Sequence, residues 1–171
     1  MLPIRIRHWI VSNGPTLASR PLNLTPFALY RPLIDQLLKT LLAEPITEGE
    51  LDFLEGRWLQ VSISDLNLSF AVSVNQGQLC VSRQRTDSDV CFSAEFNDLL
   101  LVAARRQDPD TLFFQRKLDI SGDTELGLEV KNLLASLDME VLPAWMQKST
   151  QNAANWVEQA REHDKKVMQP A

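Results

Sequence analysis

The fold of this chain is decided by residues 112–137, LFFQRKLDISGDTELGLEVKNLLASL. Residues 117–121 alternate between polar and apolar side chains, as a half-buried strand does. Gly122 and Asp123 predict a tight turn, after which the Asp123 carboxylate caps a helix by accepting from its first free N–H groups. The apolar residues that follow have helical spacing and form one stripe; they are Leu126, Val130, Leu133, Leu134 and Leu137. The rest of the chain is organised around this strand–turn–helix unit.

The residues before this unit change from a helical period to a strand period. Apolar residues recur every three to four positions over 25–42, where Thr25 and Pro26 predict the helix start. Thr47 and Glu50 predict a capping box that opens a short helix. Polar and apolar side chains then alternate in four short stretches, at 58–63, 66–74, 79–83 and 89–94. The short connections between these stretches predict an antiparallel meander.

Helical patterns return after the fourth strand, at 97–106, 109–114 and 144–167. Four strands, then helices and one further strand, predict an α+β fold. We expect a five-stranded, mainly antiparallel sheet covered by helices, with extra N- and C-terminal helices. The expected division is a basic amphipathic arm at 1–24, a domain at 25–140 and an amphipathic C-terminal helix at 141–171.

The composition is that of an ordinary globular protein. The chain has 171 residues, of which 44% are hydrophobic and 23% are charged. No apolar run approaches the roughly 18 residues that a membrane span needs, and Arg5 and Arg7 interrupt the N-terminal apolar stretch, which makes it a poor signal peptide. We therefore expect a cytoplasmic protein. Cys80 and Cys91 form no C-x-x-C pair, so we expect small buried or half-buried hydrophobic side chains rather than a redox or zinc motif.

The formal net charge of −5 is unevenly distributed. Residues 1–40 contain five basic residues and one acidic residue, whereas the remainder contains 12 basic and 21 acidic residues. An acidic body argues against nucleic-acid binding. The basic arm combines arginine with tryptophan and isoleucine at helical spacing, which is typical of an interfacial anchor. The residues predicted to contact a membrane are Arg5, Ile6, Trp9 and Ile10. The alternative is that this arm packs on the core of its own domain.

Catalytic chemistry has little support in the sequence. The two histidines, His8 and His163, lie near the chain ends, so a Ser–His–Asp or Cys–His arrangement is disfavoured. The sequence contains no nucleotide-binding loop, zinc-protease motif or EF-hand spacing. Asp108 and Asp123 precede predicted helices, where capping accounts for them. We therefore expect no enzyme activity, no metal and no cofactor.

Three blocks of the sequence resemble one lipid-binding family. They are GELDFLEGRW at 49–58, DLLLVAARRQDPDTLFFQR at 98–116 and GDTELGLEVKNL at 122–133. The last block is similar to the final strand and helix of the sterol carrier protein-2 (SCP2) lipid-binding domain family. Taken together, the three blocks look like the bacterial accessory factors of oxygen-independent ubiquinone (coenzyme Q) biosynthesis within that family.

The resemblance implies an SCP2-like lipid-binding domain at 25–140, with an apolar cavity between a five-stranded sheet and its helices. The implied function is that of a non-catalytic accessory factor, which holds or presents prenylated quinone intermediates or membrane phospholipid. The implied protein partners are enzymes of the ubiquinone pathway, including peptidase-like iron–sulfur hydroxylation proteins. A peripheral position at the inner membrane would bring the protein to its lipids.

Nine apolar residues are the candidates for lipid contact: Phe70, Phe92, Phe96, Leu100, Phe113, Leu126, Val130, Leu133 and Leu137. Because pockets and solid cores are lined by the same residue types, periodicity does not separate a hollow interior from a filled one. One alternative is therefore a solid-core interaction module that docks biosynthetic enzymes without binding lipid. Another is a lipid-modifying enzyme that uses carboxylates alone, which the scarcity of histidine and cysteine disfavours.

Overall fold

The structure, a computed structural model, describes the backbone of residues 26–168 and the side chains of residues 26–162. The predicted basic arm lies outside these residues. Membrane contact by Arg5, Ile6, Trp9 and Ile10 therefore remains a prediction.

A five-stranded sheet forms the centre of the protein, as expected for the α+β class. Its strands are β1 (Leu59–Ile63), β2 (Leu68–Asn75), β3 (Gln78–Arg83), β4 (Val90–Ala94) and β5 (Leu118–Gly122). The strand order is β3-β2-β1-β4-β5. Three of the four neighbouring pairs are antiparallel, and β1 and β4 run parallel. The sheet is thus mainly antiparallel but mixed.

The predicted meander is wrong at one connection. Strand β4 lies beside β1 rather than beside β3, so residues 84–89 carry the chain across β2 and β1. Six extended residues span about 20 Å, which exceeds the about 14 Å between β3 and β4. The crossing segment is held on the sheet because Arg85 N donates to Gln60 Oε1 at 2.9 Å. The Arg85 guanidinium also lies 4.5 Å from the centroid of the Trp58 ring.

The described residues form six helices: α1 (Phe27–Leu41), α2 (Ala43–Thr47), α3 (Phe96–Ala103), α4 (Pro109–Phe114), α5 (Thr124–Ser136) and α6 (Ala144–Met168). Short 3-10 turns occupy Asp52–Leu54 and Met139–Val141. Two predicted caps are confirmed: Asp108 Oδ1 accepts from Asp110 N at 2.7 Å, and Asp123 Oδ1 accepts from Leu126 N at 3.0 Å.

The predicted capping box at Thr47 is wrong. Thr47 is the last residue of α2, and its Oγ1 donates to the carbonyl oxygen of Ala43 at 2.8 Å. The preceding Pro45 occupies the first turn of α2, where a proline nitrogen needs no hydrogen-bond partner.

The two faces of the sheet differ in character. One face carries large apolar side chains in register, such as Leu59 between Val72 and Val90, and Phe92 beside Ile120. Helices cover this face, and the residues buried between them and the sheet form the main core. The other face carries small residues, including Ser62, Ser69, Ala71, Ser73, Cys80 and Cys91. The large apolar interior therefore lies on one side of the sheet.

The long C-terminal helix α6 packs against α3. Leu101 and Ala104 of α3 share a buried cluster with Ala154 and Val157 of α6. Beside this cluster, the carboxylate of Asp98 is only 2% exposed and accepts from Arg161 Nη2 at 2.8 Å. An apolar contact and a buried ion pair thus join α6 to the domain.

Candidate functional site

The candidate site is the apolar interior between the sheet and its helices, since six of the nine predicted residues meet there. Five belong to or pack against the main core: Phe92, Leu126, Val130, Leu133 and Leu137. Phe70 lies in an adjoining cluster with Val72 and Val81. Both clusters contact Leu38, Val61 and Leu79. The described interior is therefore one continuous apolar region.

The other three predicted residues lie elsewhere. Leu100 packs against the cluster between α3 and α6. Phe96 and Phe113 lie on the surface, with 40% and 42% of their area exposed. Whether any of the nine residues contacts lipid remains a prediction; six of them lie in or against the same apolar interior.

A groove opens onto this interior where α3 and α5 end and α4 begins. We call it the polar-rimmed groove. Its volume is about 260 Å³, and its lining residues are Val102, Arg105, Arg106, Gln107, Asp108, Pro109, Leu134, Ala135, Leu137 and Met139. Val102, Leu134 and Leu137 also belong to or pack against the main core. The floor of the groove is therefore continuous with the apolar interior, and its rim is polar.

Most of the polar side chains of the rim already have partners. Arg106 Nη2 donates to Asn155 Oδ1 at 3.0 Å, and Asp108 caps α4. Arg105 Nη2 lies 3.4 Å from Asp138 Oδ1 in a largely exposed ion pair. Gln107 Oε1 differs from these groups, because it is buried and has no hydrogen-bond partner in the described part of the chain.

Helix α3 ends at this rim in a Schellman motif. Arg106 N donates to the carbonyl oxygen of Leu101 at 2.9 Å, and Arg105 N donates to that of Val102 at 2.8 Å. Arg105 consequently has a left-handed backbone, with φ of 54°. Glycine is the usual residue at this position, because a side chain there costs conformational energy.

A second groove lies at the exposed edge of β5, and we call it the edge groove. Its volume is about 200 Å³, and Phe113, Ile120, Gly127 and Leu128 form much of its apolar lining. Gly127 lets α5 lie close to the strand, since a Cβ at this position would come within 2.8 Å of Ile120 Cγ2. Phe114 beside the groove is 82% exposed and stacks edge-on against Phe113. This edge of the protein therefore presents an apolar surface.

The described part of the chain gives two further results. Within it, no group of three or more His, Cys, Asp or Glu side chains is arranged to hold a metal ion. Nor does any helix of residues 26–168 combine the length and apolarity that crossing a bilayer requires.

Sequence patterns did not identify the polar-rimmed groove. Residues 97–106 were predicted as one helix, whereas α3 ends at Ala103 and Arg105 and Arg106 belong to the Schellman turn that follows. Asp108-Pro109 correctly indicated a new helix start. A helix end followed so closely by a helix start marks a sharp corner, which is the only local indication that the side chain of Gln107 lies at a concave surface.

Comparison with known proteins agrees with this architecture. The sequence profile of the SCP-2 sterol transfer family matches residues 34–135. Relatives from Escherichia coli strains K12, O6:H1 and O157:H7, each named ubiquinone biosynthesis accessory factor UbiT, are 49% identical over 154 residues, which cover 90% of this chain and 88% of theirs. A solved structure described as UbiJ-SCP2 ubiquinone synthesis protein has a TM-score of 0.52 at 24% identity, and the match covers 64% of this chain and 96% of that one. The resemblance predicted from the three sequence blocks is confirmed: the chain belongs to the SCP-2 sterol transfer family.

Proposed function

We propose that this protein is a non-catalytic lipid-binding accessory factor of oxygen-independent ubiquinone biosynthesis. In this proposal the apolar interior holds the isoprenoid tail of a prenylated intermediate, and the polar-rimmed groove holds its ring. The observation that carries the proposal is the continuity between the groove floor and the main core, through Val102, Leu134 and Leu137. The similarity to UbiT, a ubiquinone biosynthesis accessory factor, supports a role in ubiquinone biosynthesis.

Burial of the tail supplies the driving force for binding. Each CH₂ group that moves from water into an apolar site gains about 0.8 kcal/mol. An isoprenoid chain of several units therefore gains several kcal/mol on burial, which offsets part of the cost of opening the packed interior. The protein would keep such a chain out of water while its ring remains near the surface.

Presentation to other proteins completes the proposal. The ring at the polar-rimmed groove would be accessible to hydroxylating and methylating enzymes of the pathway, including the peptidase-like iron–sulfur proteins. The basic arm at 1–24 would hold the protein at the membrane surface through Arg5, Ile6, Trp9 and Ile10. Membrane phospholipid is the alternative ligand for the same apolar interior.

The test is mass spectrometry of lipids extracted from the purified full-length protein and from two variants. Leu133→Arg places a charge against the main core, where Leu133 packs. Leu29→Arg makes the same substitution at a site that is 71% exposed on α1. We expect lipid with the wild-type protein and Leu29→Arg, and none with a folded Leu133→Arg. The proposal fails if wild-type protein carries no lipid and added prenylquinone precursors do not bind.

The second candidate is a solid-core module that docks pathway enzymes without lipid. The edge groove favours it, since exposed apolar patches mark interaction surfaces and Phe114, Phe113 and Leu128 form such a patch. This candidate predicts that Phe114→Asp abolishes binding to a purified pathway enzyme while the protein never carries lipid. Lipid in the wild-type protein would exclude it.

A further inference from the structure

We propose that Gln107 and Arg105 form a recognition subsite for the oxygenated aromatic ring of a prenylated phenol or quinone. This inference rests on the proposed lipid-binding function and names the two residues that select the head of the ligand. It is carried by the arrangement of polar groups at the polar-rimmed groove.

The first argument is the unsatisfied amide of Gln107. Buried polar atoms in proteins are nearly always hydrogen-bonded, so one without a partner calls for an explanation. Gln107 lines the open groove, and its Oε1 is shielded from solvent with no hydrogen-bond partner among the described residues. Binding would require the amide to turn so that this oxygen faces the ligand, which then donates the missing hydrogen bond.

The second argument is the side chain of Arg105, which lines the groove and is exposed. The guanidinium of Arg105 has only an exposed ion pair with Asp138 in the described structure, and such pairs are weak and easily exchanged. Arg105 is therefore available to a ligand.

The remaining polar groups of the rim narrow the choice of ligand. Arg106 and Asp108 are engaged with Asn155 and with the start of α4. The rim groups left to contact a ligand are thus the amide of Gln107 and the guanidinium of Arg105, which lie above an apolar floor. An amide donates or accepts according to its orientation, so it suits both a phenolic hydroxyl and a quinone carbonyl. Arg105 can donate to a second ring oxygen and stack on the ring.

The experiment is a competition assay with the purified full-length protein, in which a fluorescent fatty acid is displaced by two probes. One probe is a ubiquinone with two isoprene units, and the other is an isoprenoid hydrocarbon of similar length. Because it loses one hydrogen bond, we expect Gln107→Leu to bind the quinone about tenfold more weakly than the wild type does. Its affinity for the hydrocarbon should stay within about twofold of the wild-type value. Thermal unfolding establishes that each variant is folded.

Arg105→Gly and Arg116→Gly form a matched pair. Arg116 occupies the same position of a Schellman motif at the end of α4, with φ of 59°, but it lines a different pocket. Because glycine suits both positions, neither variant should unfold the protein. We expect Arg105→Gly to weaken quinone binding about five- to tenfold, and Arg116→Gly to leave it unchanged.

The outcomes separate this inference from the function on which it rests. If wild-type protein binds neither probe, the proposed function and the subsite both fail. If it binds the quinone and Gln107→Leu binds it equally well, lipid binding stands and the subsite is overturned. Equal losses in Arg105→Gly and Arg116→Gly would remove Arg105 from the subsite.

Discussion

Gly122 is the position at which the strand–turn–helix unit is most sensitive to substitution. Its φ is 105°, outside the region that a side chain tolerates, and an added Cβ would overlap the carbonyl oxygen of Asp89. The same Cβ would lie 3.1 Å from Val90 Cα. Both neighbours are backbone atoms of the entry to β4, which pairs with β5. Neither can move without disturbing the sheet.

The expected destabilisation by Gly122→Ala follows from three contributions. Backbone strain costs about 1–3 kcal/mol, and overpacking costs about 1–3 kcal/mol. The lower entropy of the unfolded variant chain offsets about 0.4–1 kcal/mol of this. We expect a net loss of about 3 kcal/mol, a large part of the 5–15 kcal/mol typical of a folded domain.

Gly77→Ala is the matched control. Gly77 also has a positive φ, of 69°, but, apart from its two chain neighbours, no described residue lies within 4 Å of its added Cβ. The Gly77→Ala variant should therefore lose only the cost of placing a side chain on a left-handed backbone, about 1 kcal/mol of stability. Urea unfolding followed by far-ultraviolet circular dichroism measures both variants, provided that the slope with denaturant is unchanged. The reasoning is refuted if Gly122→Ala loses no more stability than Gly77→Ala.

Three further predictions concern charged residues. Asp98→Asn should lower the free energy of unfolding by about 1–3 kcal/mol, because the contact with Arg161 of α6 weakens. Hydrogen exchange should then show α6 opening first, and unchanged exchange would contradict this. Arg116 has a left-handed backbone, so Arg116→Gly should raise the free energy of unfolding by about 0.5–1 kcal/mol, whereas Arg116→Ala should not. Thermal unfolding compares the two variants, and equal effects would refute the strain at this position. The pKa of Asp87 lies below its ordinary 3.8, because the Arg85 guanidinium donates hydrogen bonds to its carboxylate. The associated stabilisation is present above pH 3.8 and is lost as pH falls through the lowered pKa; NMR titration should show a higher Asp87 pKa in Arg85→Gln, and an unchanged value would exclude the cause.

Local patterns predicted the five strands and most of the helices, but not helix α2 or the order of the strands. Alternating side chains predicted all five strands, because one face of each strand is buried and the other carries small or polar groups. The pairing of β4 with β1 brings together residues that are far apart in the sequence, so a local pattern does not predict it. The segment that makes the crossing, residues 84–89, looks like an ordinary polar turn in the sequence.

Short helices explain why the placement of some candidate residues could not be predicted. Helix α4 has six residues, fewer than two turns. Its Leu112 is fully buried while the adjacent Phe113 and Phe114 are exposed. Hydrophobicity alone would bury both phenylalanines before the leucine. Longer α5 has enough turns to fix its inner face, and its predicted stripe does lie against the main core.

The polar-rimmed groove depends on features that no local pattern encodes. A left-handed arginine at the end of α3 and the contact between α3, α4 and α5 create it together. The sequence RRQDP indicates a corner but not which side chain faces inward. Gln107 therefore emerges as a candidate only when the helices are assembled.

Photo-crosslinking tests the central claim most directly, that a prenylated ligand lies in the apolar interior and reaches it through the polar-rimmed groove. The full-length protein is illuminated with a prenylated phenol that carries a diazirine in its tail, and the adducts are mapped by peptide mass spectrometry. The account predicts adducts at Val102, Leu133, Leu134 and Leu137, which excess short-chain ubiquinone suppresses. Adducts confined to Phe113, Phe114 and Leu128 at the edge groove, or no adducts, would contradict it.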